Sequence, residues 1–417
     1  MAESLVGSEI IKLAGEIKTL IAEGRDIHNF TIGDFNPSLF PIPKSLLNGI
    51  VDQYRNGQTN YPAANGVAPL RESISAFIEK KQGLAFSPDQ VLVAGGARPL
   101  IYAAYQALVD PEDTIVFPVP SWNNNHYTHL SRGNSIMLQT TPEENFMPTA
   151  KLLENSLENA TLLALCSPLN PTGTVFSEEQ LKGIAELVVK VNHRRESKGE
   201  KPLYLLYDQI YWQLTHGETK HFDPVSLEPE LKQYTIFIDG LSKSYAATGV
   251  RVGWAMGPKK VINKMRAILG HVGAWSPKAE QMASADFLQD FSTIDAFMGP
   301  FKKALNQRLT GFYNGIQSLK KEGYPVDAIA PQAAIYLTIQ FDLRGAITES
   351  GKKLEHVEDI TAYLLNKAGL AIVPFYAFGA DKKSPWFRLS VGTAAEHHPE
   401  EVTKNLKTAL SKLTFND

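Results

Sequence analysis

Short apolar runs alternate with amphipathic stretches through the middle of the chain. The runs are QVLVAGG, DTIVFPVP, SIMLQT, ATLLALCSP, LYLLYDQ, TIFIDG and VGWAMGP, between Gln90 and Pro258. Apolar runs of this length, bounded by Gly, Pro or Asp, predict buried strands. Strands that alternate with helices favour crossover connections and a parallel sheet. We therefore predict an α/β fold with a doubly wound, mostly parallel sheet of seven strands.

The pattern changes near Lys259, where helical periodicity dominates over 259–273 and 276–323 and shorter strands follow. An amphipathic helix is also predicted near the N-terminus, with one apolar side made of Ile10, Leu13, Ala14, Ile17, Leu20 and Ile21. We predict an N-terminal arm over 1–43 that packs with a small α+β domain over 301–417. The large α/β domain is predicted over 44–300.

Composition narrows the class of protein. The 417 residues carry 41 Lys and Arg against 44 Asp and Glu, a net charge of -3 that gives no footprint for nucleic acid or an anionic membrane. One cysteine, Cys166, cannot form a disulfide framework or a zinc ligand set, and we predict no metal. The chain shows no secretion signal and no apolar run of membrane-spanning length. We expect a cytoplasmic protein acting on small molecules.

Ligands of an open α/β sheet collect at the carboxyl ends of its strands. The first predicted strand ends in Gly95, Gly96, Ala97 and Arg98 at the start of a helix, where backbone N–H groups attract an anion. Trp122 follows the second strand and could stack on an aromatic cofactor, although a core tryptophan is the commoner reading of one such residue.

Two further strand ends supply polar groups. Asn170 lies in SPLNPTG, where flanking prolines fix its position, and it either donates to a ligand or only caps its own turn. Asp208 follows an apolar run, where a buried carboxylate needs a cationic partner such as a protonated ring nitrogen, or else caps the next helix. The Tyr211 hydroxyl is close enough in sequence to reach the same ligand.

The stretch GLSKSYAATGVRVGW supplies a lysine and an arginine. Lys243 is predicted in a loop after a strand, where desolvation would suit it to form a Schiff base with a carbonyl. Arg251 could hold a phosphate beside it. A solvated surface lysine is the plain alternative for Lys243 alone. Taken together, however, these strand ends supply what pyridoxal phosphate needs.

The chain resembles the class I and II aminotransferases of pyridoxal-phosphate fold type I, and the aspartate aminotransferases in particular. The resemblance covers nearly the whole length. It is carried by NYPAANGVAPLR, GGAR, PSW, SPLNPTG, YDQIY, SKSYAATGVRVGW and FRLSVG, in the order of the family. It implies pyridoxal phosphate as cofactor, an amino acid and a 2-oxo acid as substrates, and a ping-pong mechanism.

The resemblance also implies a role for each matching position. Lys243 would hold the cofactor as a Schiff base and move the proton, and Asp208 would pair with the pyridine nitrogen. Ring contacts are implied for Trp122, Asn170 and Tyr211; phosphate contacts for Gly96, Ala97, Arg98 and Arg251; and substrate contacts for Gly33, Asn170 and Arg388. Tyr61 would reach the phosphate of the neighbouring subunit, which implies a homodimer.

Departures from the family pattern leave the substrate open. Gly240 stands where the family often has a phosphate-binding serine, and Gln209 stands where a glutamate is usual. The segments PFYAFG and PQAAIY, which border the substrate pocket, also differ. We expect aspartate or an aromatic amino acid as donor. The alternatives are a pyridoxal-phosphate lyase or synthase on the same fold, a non-catalytic binding protein, or a nucleotide-dependent oxidoreductase, for which the G-x-G-x-x-G fingerprint is missing.

Overall fold

The structure is a computed structural model that describes residues 15, 17 and 19–415. The predicted N-terminal helix therefore falls largely outside the described residues, including Ile10, Leu13 and Ala14. Of its remaining apolar positions, Ile17 is buried and Ile21 is exposed. Within the part of the chain that is described, every helix is too short or too polar to cross a lipid bilayer.

The elements are numbered here in chain order. The strands are β1 (His28–Asn29), β2 (Val91–Ala94), β3 (Thr114–Val119), β4 (Asn134–Gln139), β5 (Ala160–Cys166), β6 (Tyr204–Asp208), β7 (Thr235–Gly240), β8 (Gly253–Met256), β9 (Val326–Ala328), β10 (Tyr336–Phe341), β11 (Leu370–Ala371), β12 (Val373–Pro374) and β13 (Trp386–Ser390). The α-helices are α1 (Lys44–Arg55), α2 (Ala68–Gln82), α3 (Ala97–Leu108), α4 (Asn124–Leu130), α5 (Ala150–Leu153), α6 (Glu178–Glu196), α7 (Pro224–Leu227), α8 (Leu241–Ser244), α9 (Lys259–Val272), α10 (Lys278–Gln289), α11 (Phe291–Lys321), α12 (Val357–Ala368) and α13 (His398–Leu410). Short 3₁₀ turns occupy Pro88–Gln90, Pro142–Glu144, Pro229–Gln233 and Phe375–Phe378.

The central sheet has seven strands in the order β2-β8-β7-β6-β5-β3-β4. Strand β8 runs antiparallel to both of its neighbours, and the remaining pairs are parallel. The predicted α/β class and the mostly parallel seven-stranded sheet are therefore confirmed. The register places Asp208 of β6 beside Cys166 of β5, so chemically useful side chains gather where these strands end.

Both faces of this sheet are covered. Along β6, Leu205 packs into one apolar core and Leu206 into another, and Phe237 and Ile238 of β7 alternate in the same way. Because side chains of a strand point alternately to its two faces, burial of both faces requires a nearly continuous apolar run. For this reason the strands of the central sheet appear in the sequence as continuous apolar runs and could be predicted from it.

A second sheet, of order β12-β13-β10-β9, is antiparallel, and β1 pairs in parallel with β11. The helical stretch predicted over 276–323 is broken into α10 and α11 at Asp290. The Asp290 side chain accepts a hydrogen bond from the Thr293 amide at 3.0 Å and so caps α11. The domain boundary predicted at residue 301 lies inside α11, and the division into domains remains a prediction.

Candidate active site

A cavity of about 570 Å³ lies at the carboxyl edge of the central sheet, beyond the ends of β5 and β6. Most of the predicted site residues line it: Gly33, Ala97, Arg98, Trp122, Asn170, Asp208, Tyr211, Lys243, Arg251 and Arg388. These residues come from positions as far apart as 33 and 388, so the fold brings them together. Gly96 and Tyr61 do not line this cavity.

Lys243 lies on α8, the single helical turn that follows β7, and not in a loop as predicted. Its ammonium donates a hydrogen bond to the carbonyl oxygen of Gly33. Burial lowers the pKa of the Lys243 amine from 10.5 to about 8, against the opposing effect of the Asp34 carboxylate. Desolvation therefore makes the neutral, nucleophilic form of this amine accessible near physiological pH.

Asp208 ends β6, directly before the backbone turns into the segment that carries Tyr211. The Ile210 amide donates a hydrogen bond to its Oδ1 atom at 3.1 Å. Burial nevertheless raises the pKa of the Asp208 carboxyl to about 6. A carboxyl group in this position is stabilised as the anion when a cation binds beside it.

The start of α3 and the Arg251 side chain lie together at one end of the cavity. Arg251 donates from Nη1 to the Thr248 carbonyl and from Nη2 to the Gly95 carbonyl, both at 2.7 Å. Gly96 has a φ of 98°, and a Cβ atom there would collide with the Arg251 guanidinium, so only glycine permits this approach. Ala97 and Arg98, the first two residues of α3, line the cavity beside the Arg251 guanidinium, and the first N–H groups of a helix have no partner within the helix.

Trp122 and Arg98 are in contact at the cavity wall. The Arg98 guanidinium carbon lies 5.4 Å from the centroid of the Trp122 ring, within the range of a cation–π interaction. The Trp122 ring also packs against Phe378, with centroids 6.1 Å apart. The tryptophan is partly buried, as its alternative reading as a core residue also predicts, and its side chain lines the cavity.

Arg388 on β13 is buried and held by several neighbours. Nη1 donates to Asn170 Oδ1 at 2.9 Å, and Nη2 donates to the Thr31 carbonyl at 2.6 Å. The guanidinium carbon lies 4.8 Å from the Tyr336 ring and 4.9 Å from the Phe378 ring. Among described residues, Nε has no hydrogen-bond partner. The fork is thus fixed in orientation and keeps a donor for a carboxylate.

Sequence reasoning did not identify Tyr336 as a site residue. Its hydroxyl lies 2.6 Å from that of Tyr211, and a Cβ atom on Gly33 would come within 2.6 Å of the same hydroxyl. The segment PQAAIY was recognised as a pocket border, but Tyr336 begins β10 of the second sheet. Its position depends on how the two sheets meet, which no local pattern gives.

Asp34 was also missed. Thr248 donates a hydrogen bond to Asp34 Oδ1 at 2.6 Å, and the carboxylate is the favourable charge that acts on Lys243. Its sequence signal was its position directly after Gly33, inside an extended segment rich in Gly, Asn and Pro. Asp34 balances part of the positive charge that Arg98, Arg251 and Arg388 bring to the cavity.

Two of the departures from the family pattern, Gly240 and Gln209, can be explained by their surroundings. A Cβ atom on Gly240 would lie 2.8 Å from both the Gly253 Cα atom and the Val252 oxygen, so this backbone has no room for a serine. Gln209 is fully buried and its amide pairs with that of Gln82, with Nε2 to Oε1 distances of 3.0 and 3.4 Å. A neutral amide thus occupies a position where a carboxylate would need charge compensation.

Comparisons with known proteins agree with this geometry. The family model described as aminotransferase class I and II matches residues 26–406. An aspartate aminotransferase of Rhizobium meliloti (strain 1021) is 29% identical over 410 residues, which cover 98% of this chain and 94% of that protein. A probable aspartate/prephenate aminotransferase of Rhizobium leguminosarum bv. phaseoli is 30% identical over 396 residues, covering 94% of each chain. The crystal structure of the aspartate aminotransferase from Rhizobium meliloti has a TM-score of 0.89 at 28% identity and covers 99% of this chain and 98% of that one.

Proposed function

This chain belongs to the class I and II aminotransferases, and from that membership we propose that it uses pyridoxal phosphate to move an amino group from an L-amino acid to a 2-oxo acid by a ping-pong mechanism. The observation that carries the proposal is that Lys243 and Asp208, supplied by different strand ends, line one cavity with Arg388. An amine, an acid and a carboxylate-binding fork in one pocket are the parts that this chemistry needs.

The residues of the cavity fit the cofactor. The Asp208 carboxyl is buried and its pKa is raised, so a protonated pyridine nitrogen is the kind of partner that would hold it ionised. The N-terminus of α3 with Arg251 suits the phosphate, and Trp122 offers an aromatic face. Lys243 would supply the amine that holds the cofactor through its carbonyl carbon.

Bound pyridoxal phosphate supplies a carbonyl for amine exchange and a ring that accepts electrons when the Cα–H bond breaks. Asp208 would keep the proton on the ring nitrogen. Arg388 would bind the α-carboxylate and thereby orient the Cα–H bond, while Lys243 would move the proton from Cα. Tyr211 and Asn170 would contact the oxygen of the ring.

Aspartate is the proposed amino donor. The curated relatives named above are aspartate or probable aspartate/prephenate aminotransferases. The cavity also has more cationic than anionic side chains: Arg98, Lys243, Arg251 and Arg388 against Asp34 and Asp208. One phosphate dianion and one α-carboxylate together carry more negative charge than this surplus of two, so the choice of donor rests on the relatives. An aromatic donor is the second candidate.

A panel of amino donors against 2-oxoglutarate tests the activity and the donor together. We expect the highest kcat/KM with aspartate, then with aromatic amino acids, and a change in the visible absorbance of the cofactor when donor is added without a 2-oxo acid. Release of ammonia or of an eliminated side chain without acceptor would instead indicate a lyase. Failure to convert any amino acid would leave a binding protein.

Replacing Lys243 tests the central role. Lys243→Ala should lower turnover well beyond the ~10²–10⁴-fold of general acid–base catalysis, because both proton transfer and amine exchange are lost. Lys302→Ala is the matched control, since Lys302 is also half-buried with a pKa lowered by burial but lines a different cavity. Appreciable multiple turnover by Lys243→Ala would refute the assignment.

A further inference from the structure

Three potential metal ligands meet where the N-terminal segment packs against the last helix. Asp26 precedes β1, His28 belongs to β1, and Glu401 lies in the first turn of α13. One ligand atom from each lies within 4.8 Å of the other two. We call these three residues the arm cluster. None of them lines the cavity at the edge of the central sheet.

The His28 ring is buried, and one of its nitrogens is left without a partner. The side chain is only 7% exposed, and Nε2 has no hydrogen-bond partner in the described part of the chain. Its distance to Glu401 Oε1 is 3.9 Å, which is too long for a hydrogen bond. Because an unsatisfied buried nitrogen is destabilising, a ligand between the ring and the carboxylates would be stabilising.

Packing fixes the orientation of this ring. The His28 amide donates to the Gly369 carbonyl at 2.8 Å, which holds β1 against β11. The ring stacks on Phe30, with centroids 6.1 Å apart, and meets the edge of the His398 ring at 5.1 Å. These backbone and ring contacts therefore orient Nε2 towards the carboxylates, without a hydrogen bond to either of them.

The carboxylates can close around an ion because they are on the surface. Asp26 is exposed and the Glu401 side chain is 42% exposed, so both can change rotamer at little cost. Zinc binds nitrogen and oxygen ligands at about 2.0–2.2 Å, which places neighbouring donor atoms about 3.3–3.6 Å apart. The cluster needs to contract by roughly 1 Å, and movement of the two carboxylates suffices.

We propose that the arm cluster binds one divalent transition-metal ion, with Zn²⁺ as the best-matched ion. An imidazole nitrogen with two carboxylate oxygens suits zinc, whereas magnesium prefers oxygen ligands alone. Water would complete the coordination. The second Glu401 oxygen lies 3.8 Å from His397 Nε2. The bound ion would tie the N-terminal segment to α13 and so stabilise the arm.

Zinc titration of the untagged holoenzyme, stripped of metal with a chelator, tests the proposal. We expect one zinc ion per chain by calorimetry and metal analysis, a rise in the thermal midpoint, and slower amide exchange over residues 28–30. Magnesium at the same concentration should have no effect. Glu401→Gln and Asp26→Asn should each weaken zinc binding by at least about ten-fold, since metal sites lose that much even when a supporting group is removed.

Glu400→Gln is the matched control, because it removes the same charge from an exposed neighbour on the same turn of α13. The zinc affinity of Glu400→Gln should equal that of the unchanged protein. The zinc affinity of His397→Gln should lie within a few-fold of it. The proposal fails if zinc binding is not saturable, or if Glu401→Gln and Glu400→Gln bind equally. It also fails if Glu401→Gln lowers the thermal midpoint in a protein that takes up no zinc, because His28 and Glu401 then form an ion pair only.

Discussion

At the residue scale, the reactivity of Lys243 should follow its burial. Burial lowers the pKa of its amine to about 8, and the nearby Arg388, Arg98 and Arg251 act in the same direction. The neutral amine reacts with an acylating reagent and the ammonium does not. In protein freed of cofactor, we therefore expect labelling of Lys243 to rise through a midpoint near pH 8, well below the 10.5 of an ordinary lysine. Competitive acetylation followed by mass spectrometry measures this midpoint.

Asp34 provides the control for this measurement. Its carboxylate raises the pKa of Lys243, so Asp34→Asn should shift the labelling midpoint to lower pH. A midpoint near 10.5 in the unchanged protein would mean that the amine is solvated. An upward shift in Asp34→Asn would mean that another charge controls the lysine.

Some residues of the site could be predicted from the sequence, and others could not. Lys243, Asp208 and Asn170 lie at the end of a strand or within four residues after one, so the strand pattern predicts them at one edge and the resemblance to the family implies their roles. Tyr336 belongs to an antiparallel strand, and Asp34 belongs to the segment between β1 and α1. Their approach to the site depends on long-range packing, and neighbouring sequence does not encode where such packing brings a side chain.

At the element scale, the antiparallel pair of β7 and β8 determines why Gly240 is a glycine. Gly240 faces Gly253 across the pair, and a side chain there would press on backbone atoms that cannot move aside. We predict that Gly240→Ser destabilises the protein by about 1–3 kcal/mol, the usual cost of overpacking, and does not strengthen phosphate binding. Urea unfolding and cofactor titration measure the two effects.

Gly249→Ser is the matched substitution for this prediction. A Cβ atom at position 249 would meet no described atom within 4 Å, so stability should change little. If Gly240→Ser proved as stable as Gly249→Ser and bound the cofactor more tightly, the two strands would be able to separate. The serine would then act as it does in the family pattern.

Elements with a strong local signal were predictable, and others were not. Ser177 followed three residues later by Gln180 is a capping-box sequence, and the box forms at the start of α6, where the Gln180 amide donates to Ser177 Oγ at 3.1 Å. The break between α10 and α11 was missed because it rests on Asp290 alone, amid continuous helical periodicity. The helical turn of α8 was missed because four residues are too few to show a period.

At the scale of the whole molecule, Tyr61 is predicted to link the site to a second subunit. Its side chain is 82% exposed and packs edge-on against Trp275, with ring centroids 5.3 Å apart. Tyr61 is a large aromatic side chain that is exposed and does not line the cavity of its own chain. This position fits the prediction that Tyr61 completes the active site of the neighbouring subunit in a homodimer.

Hybrid dimers test this arrangement directly. Consider a hybrid dimer of one Lys243→Ala chain and one Tyr61→Ala chain. If Tyr61 acts in the active site of its neighbour, one site of this dimer carries both substitutions and the other site carries neither. Random mixing in equal amounts should then give about one quarter of the full activity at limiting cofactor, where the Tyr61→Ala homodimer is largely empty. Mixing Lys243→Ala with Asp208→Ala should restore nothing, because both residues serve the site of their own chain. If the first mixture also stayed inactive while size-exclusion chromatography showed dimers, Tyr61 would not cross the interface.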